Sequence, residues 1–265
     1  ALRSAEILRQ NGYSTAAFGK YHETAPWEVS VSGPYDRWPT RSGFDKFYGF
    51  MGGETNQWAP TIYDGLNKIE TPTSPGYHFM TDMTNQAIKW MRHQKSLTPD
   101  KPFFIYFAPG ATHAPHHVPR EWSDRHRGRF DDGWDALREA TLARQKALGI
   151  VPPETELTAR HEGIPAWSEV PAELKPVLAR QMEVYAGFLE HTDHYIGDLV
   201  QFLKDMGEYD NTLIMLVSDN GSSAEGGPEG TYNEMMALNG IVGKADQMMD
   251  HIEHWGDPTT FPHFA

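Results

Sequence analysis

Cysteine is absent from the 265 residues. Disulfides, thiolate metal sites and a cysteine nucleophile are therefore excluded within this stretch. Positive charge is scarce: 23 Lys and Arg stand against 36 Asp and Glu, a formal net charge of −13. That balance argues against nucleic acid and against an anionic membrane as partners. It also repels small anions at long range, so an anionic substrate needs a local cluster of Lys, Arg, His or a metal ion. No apolar run approaches the ~20 residues of a membrane helix. Leu213–Val217 with its flanks is strand-sized. There is no initiating Met and no signal peptide, and the chain stops in an aromatic loop, so both ends are expected to be cut. These absences leave the compartment open between cytoplasm and periplasm, and the oligomeric state open as well.

Apolar residues make up 39 % of the chain, with 13 Phe and 8 Trp, enough for a sizeable core. Ala1–Gln10 has the apolar spacing of a helix, closed by Asn11-Gly12. Tyr13–Phe18 follows as a short strand. From Glu23 to Pro75 the chain is rich in Gly, Pro and aromatics without periodicity, and it is expected to form packed loops with at most one hairpin. Met80, Met83, Ala87, Trp90 and Met91 predict a helix over Thr81–Gln94. Phe103–Phe107, opened by Pro102, suits a strand buried on both faces. A further helix is expected over Gly133–Leu148. An apolar stripe from Leu174 to Met206 predicts one long helix, or two broken near Gly197. Leu213–Val217 reads as another buried strand. Alternating helices and strands predict an α/β fold, a mostly parallel sheet covered by helices, in one domain over residues 1–265.

Polar residues follow each predicted strand. Lys20 and His22 follow the first, His113, His116 and His117 the second, Asp219 and Asn220 the third. In open α/β sheets ligands bind beyond the carboxyl ends of the strands, so these groups are expected to meet in one cleft. Lys20 and His22, one residue apart, share a side of an extended segment and can together hold an anion and move a proton. Asp219-Asn220 offers hard oxygen ligands suited to Ca²⁺ or Mg²⁺, although Asp-Asn-Gly is also ordinary turn chemistry. The three loop histidines admit a zinc site as a rival reading. His191 and His194, with Asp193 between them, are either a metal cluster or a polar helix face. Trp27, Trp38 and Trp58 are either subsite walls or core plugs.

Taken together, these blocks resemble a known family. Gly12-Tyr13-Ser14-Thr15-Ala16-Ala17-Phe18-Gly19-Lys20-Tyr21-His22 is similar to the second sulfatase signature. Phe103–Phe107 with His113-Ala114-Pro115, Gly43–Gly49, and Leu213–Val217 with Ser218-Asp219-Asn220-Gly221 look like further sulfatase blocks in family order. The resemblance implies an alkaline-phosphatase-like α/β fold, its sheet sandwiched by helices, and hydrolysis of small sulfate esters by a formylglycine-dependent, arylsulfatase-like enzyme. It implies that Lys20 contacts the sulfate and the nucleophile, and that His22 hydrogen-bonds the nucleophile. It further implies that His113 binds sulfate and protonates the leaving oxygen. His116, in the same loop, is expected in an outer-shell or substrate-rim role. Asp219 and Asn220 would supply part of a calcium site, calcium being favoured over magnesium.

The departures from the family are the cysteine that becomes formylglycine, the paired aspartates of the calcium site, and a second sulfate-binding lysine. Lys244 is the lysine that follows Asn220, and its surroundings do not match. The chain is therefore expected to be a fragment without turnover of its own. Phosphonate monoester hydrolases and phosphodiesterases of the same superfamily are the nearest alternative, and a non-catalytic metal-binding domain is another.

Overall fold

The computed structural model describes residues 4–218, 226–227 and 229–263. The elements run α1 (Ser4–Gln10), β1 (Ser14–Tyr21), β2 (Lys46–Met51), β3 (Tyr63–Asp64), β4 (Asn67–Lys68), α2 (Phe79–Leu97) and β5 (Phe103–Ala108). After these come α3 (Arg120–Ser123), α4 (Gly133–Ala147), α5 (Lys175–Asp205), α6 (Glu234–Leu238) and α7 (Ala245–Asp250). Two compact units divide the chain. The first runs to Pro115 and resumes at Leu189; the second holds His116–Phe188 and the stretch after Gly221.

The first unit is built on one sheet in the order β4-β3-β2-β1-β5. β1 pairs in parallel with β2 on one side and β5 on the other, in the register Gly19↔Gly49 and Gly19↔Ala108. β1 is longer than predicted and continues through Gly19 and Lys20 to Tyr21. β2 is a strand where the composition predicts an irregular loop. Phe47-Tyr48-Gly49-Phe50-Met51 is apolar throughout, and a strand buried on both faces lacks the alternation that marks a half-exposed one. The hairpin of that region is β3–β4, turned at Gly65 with φ +62°.

Alternate residues of β1 and β2 feed two cores. Ala16, Phe18, Tyr48 and Phe50 pack with Phe79, Met80, Met83 and Ala87 of α2, flanked by Tyr195, Ile196 and Leu199 of α5. Ala17, Tyr21, Phe47 and Met51 pack on the other face with Ala5, Trp38, Phe44 and Tyr63. Each such large side chain contributes roughly 1.5–3 kcal/mol on burial. His78 caps α2, its Nδ1 accepting the Met80 N–H at 3.2 Å. The helices thus cover one face, while α1 and an aromatic loop cover the other.

Two strand expectations are corrected. β5 is half-buried rather than buried, because its only ladder partner among the described residues is β1 and Tyr106 faces outward. Leu213–Val217 is not a strand: it has no regular structure, and its side chains are 46–84 % exposed. A strand exists through the ladder it shares with a neighbour, and no described residue pairs with this run.

In the second unit, Arg180 is buried and donates to Glu183 Oε2 at 2.8 Å and to Ser123 Oγ at 3.0 Å, with Asp124 at 3.1 Å. Glu183 Oε1 accepts the Gly128 N–H at 2.8 Å, so the buried charge is shared out locally. The predicted helix near Gly133–Leu148 is α4, and Trp134 meets Trp167 edge to face at 4.8 Å. The long stripe forms a single 31-residue helix, α5, unbroken at Gly197. Its last part, from Leu189, belongs to the first unit.

Candidate active site

The carboxyl ends of β1, β2 and β5 come together at Gly19, Gly49 and Ala108. A Cβ on Gly19 would lie 2.0 Å from the Ala108 carbonyl oxygen, and one on Gly49 would lie 2.0 Å from the Gly19 oxygen. Gly19 also has φ +100°, in the left-handed region that favours glycine. The Gly-Lys step is thus a backbone requirement: three strands approach too closely for any side chain. Lys20, the next residue, is half-buried opposite Phe50.

The loop after β2 carries the rest of the geometry. Gly52 donates its N–H to the Tyr21 oxygen at 3.1 Å, tying the loop to the end of β1. Gly53 lies against His22: an added Cβ would be 3.2 Å from the ring's Cε1. Glu54 follows, and its Oε2 is 3.4 Å from His113 Nδ1. One two-residue step of the β2 loop therefore borders both His22 and His113. The His113 Nδ1 also meets the Ala114 carbonyl oxygen at 3.0 Å. A carbonyl only accepts, so in this arrangement Nδ1 is the proton-bearing nitrogen and Nε2 carries the lone pair.

His22 is exposed and His113 is about a third exposed, so both are reachable by a small molecule. His116 and His117 lie in the second unit. His116 is 4 % exposed, its ring against Tyr185 and His263, and its N–H donates to the Pro262 oxygen. Of the two roles expected for it, that burial is against the substrate rim, which needs exposed surface, and not against an outer-shell position. His117 Nε2 donates to the Thr260 oxygen at 2.7 Å, and burial lowers its pKa to about 4. It is a neutral packed residue near neutral pH.

Burial also sorts His191 and the tryptophans. His191 is buried with its ring 4.5 Å from His78 and 4.8 Å from Tyr195, which is packing. Trp38 is a core plug whose Nε1 donates to the Glu28 oxygen; Trp58 is half-buried against His78; Trp27 is exposed. Asp219 and Asn220 lie outside the described residues. Among the described residues no group of three or more His, Asp or Glu is placed to hold a metal ion. Sequence reasoning misses Glu54, because the apolar strand before it lacks the alternation that would announce it. Gly52-Gly53-Glu54 directly after the apolar run Phe47–Met51 was the available signal.

The sulfatase family model matches residues 5–258, across both units. An uncharacterized sulfatase of Schizosaccharomyces pombe is 31 % identical over 234 residues, 82 % of this chain and 40 % of that protein. An arylsulfatase of Klebsiella aerogenes is 28 % identical over 275 residues, 98 % of this chain and 56 % of its own. The chain thus spans about half the length of the curated relatives it matches. The solved structure of the Bacteroides fragilis protein yidJ, described as a sulfatase, superposes with a TM-score of 0.52 at 19 % identity, over 78 % of this chain and 41 % of that one. At such identity the likeness concerns the fold, which is the mixed α/β fold of the sulfatases. From the match over nearly its whole length, the chain belongs to the sulfatase family.

Proposed function

We propose that these residues form part of a sulfate ester hydrolase, with Lys20, His22 and His113 as its catalytic side chains. The observation that carries this reading is the β2 loop, which borders His22 and His113 together at the carboxyl end of the strand that presents Lys20. A sulfate monoester is anionic, and S–O cleavage moves negative charge onto the leaving oxygen. Lys20 binds the sulfate oxygens and offsets the repulsion of an acidic chain. His113, held through Nδ1–H, gives a proton from Nε2 to the leaving oxygen. His22, beside the glycine pair, would hydrogen-bond the hydroxyls of the nucleophile and take the proton of the one that did not attack, so that its C–O bond to sulfate breaks as the carbonyl re-forms.

The nucleophile in this reading is a formylglycine hydrate, which supplies the attacking oxygen and comes from a cysteine outside these 265 residues. Ca²⁺ is proposed as the cofactor on the oxygen-donor chemistry of Asp219 and Asn220 and would stabilise charge on the sulfate. Two donors fall short of the 6–8 oxygens calcium prefers, so further ligands must come from elsewhere.

The test compares the 265-residue chain with the same chain extended by the flanking residues of its gene. Both are assayed with an activated aryl sulfate and a phosphonate monoester, with and without calcium. The expected result is no turnover by the chain alone, and sulfate ester hydrolysis by the extended protein that falls at least ~100-fold in Lys20→Ala. Turnover by the cysteine-free chain would overturn the formylglycine route. Preference for the phosphonate would move the substrate assignment to that class.

A further inference from the structure

Glu54 places its carboxylate 3.4 Å from His113 Nδ1, from a loop that is anchored at several points. Asn56 Oδ1 accepts the N–H groups of Trp58 and Ala59 at 2.8 and 2.9 Å. The Gln57 oxygen accepts the Phe79 N–H at 2.8 Å, fastening the loop to the start of α2. Gln57 is buried, and a Cβ on Gly110 would meet its Nε2 at 2.7 Å, so the loop is seated on the segment that leads to His113. The His113 N–H donates to the Gly110 oxygen at 3.0 Å, closing that segment into a turn. The carboxylate is therefore presented by an ordered scaffold.

We infer that Glu54 is a positioning residue for His113: its carboxylate, 3.4 Å from Nδ1, favours the proton on that nitrogen beside the bond to the Ala114 oxygen, holds that edge of the ring toward the β2 loop, and so directs Nε2 to the leaving oxygen. The inference rests on the role proposed above for His113. The Ala114 carbonyl cannot do this alone, because it belongs to the next residue and moves with the ring. Glu54 arrives from a different strand and ties the ring to the loop that also borders His22. A carboxylate near an anion site would repel substrate, and pairing with the imidazole ring offsets that cost.

Two measurements test it. In the 265-residue chain, ¹⁵N imidazole spectra, with His113 assigned by its loss in His113→Gln, are expected to show one Nδ1–H tautomer. Glu54→Ala should give a tautomer mixture, and Glu54→Gln, which keeps a neutral acceptor, should retain most of the single form. An unchanged spectrum in Glu54→Ala would overturn the inference whatever the activity. In the extended protein, Glu54→Ala should lower kcat by ~10–100-fold for an unactivated alkyl sulfate and only a few-fold for a nitrophenyl sulfate, with KM little changed. A well-stabilised leaving group needs little protonation, so a merely structural role would lower both alike. On a His113→Ala background, Glu54→Ala should add no further loss; additive losses would refute the coupling. Absence of all sulfate ester turnover in the extended protein would instead sink the functional proposal and leave the spectral result to decide this one.

Discussion

At the scale of single residues, glycine placement decides what the sheet can be. Gly12 and Gly19 both have positive φ, but nothing lies within 4 Å of a Cβ at Gly12, whereas one at Gly19 would meet the Ala108 oxygen at 2.0 Å. Gly12→Ala is expected to cost about 1 kcal/mol, the left-handed backbone penalty alone. Gly19→Ala should cost more than about 4 kcal/mol, because three strands must separate to admit it. Urea unfolding of the two variants checks the contrast; similar losses would show that the strands are not so closely packed. The motif lysine is thus placed by the glycine before it.

His117 sets a pH dependence of stability. Its folded pKa, about 4, lies below the ordinary value of 6.5, since burial disfavours the imidazolium. Between those values the unfolded chain binds the extra proton. Stability from this group is therefore complete above pH ~6.5 and is lost progressively as the pH falls to ~4, by about 3 kcal/mol in all. His117→Gln, which keeps a donor for the Thr260 oxygen, should flatten the wild-type slope over that window. Urea midpoints at pH 7.5, 5.5 and 4.5 measure the difference, and parallel slopes would exclude a buried neutral His117.

Among the elements, β2 and Leu213–Val217 show how one local composition leads to two outcomes. Both are apolar runs of strand length. β2 is buried because β1 and β3 flank it, whereas Leu213–Val217 finds no ladder among the described residues and stays exposed. An exposed apolar run of strand length is an association hazard. Ile214→Lys with Leu216→Lys should reduce concentration-dependent association of the isolated chain while changing unfolding free energy by less than about 0.5 kcal/mol. Sedimentation velocity and urea unfolding check the two halves. A larger stability loss would mean that the run is packed in solution. α2 and α5 were legible because helical spacing and capping are local properties, repeated over many turns. β2 was not legible, because its burial on both faces comes from partners distant in sequence.

For the 265 residues as a whole, the net charge of −13 would oppose the anionic substrate proposed above at distances beyond the site. Salt screens that far field more than the close contacts of Lys20. In the extended protein, kcat/KM for a small sulfate ester is expected to rise a few-fold between ~20 and ~150 mM NaCl. A fall would show that the cations of the site dominate the long-range field.

The amino-acid sequence alone determined the α/β class, the cores of β1, α2, β5 and α5, and the family blocks around Lys20, His22 and His113. These signals are carried by neighbours in the chain: periodicity, glycine stops and residue types at short spacing. Tertiary structure alone decided that β2 is a strand, that His116 and His117 are packed while His113 is reachable, and that Glu54 stands beside His113. Each of those depends on which backbones approach which across long stretches of chain, and close approach is set by pairing and packing rather than by local preference.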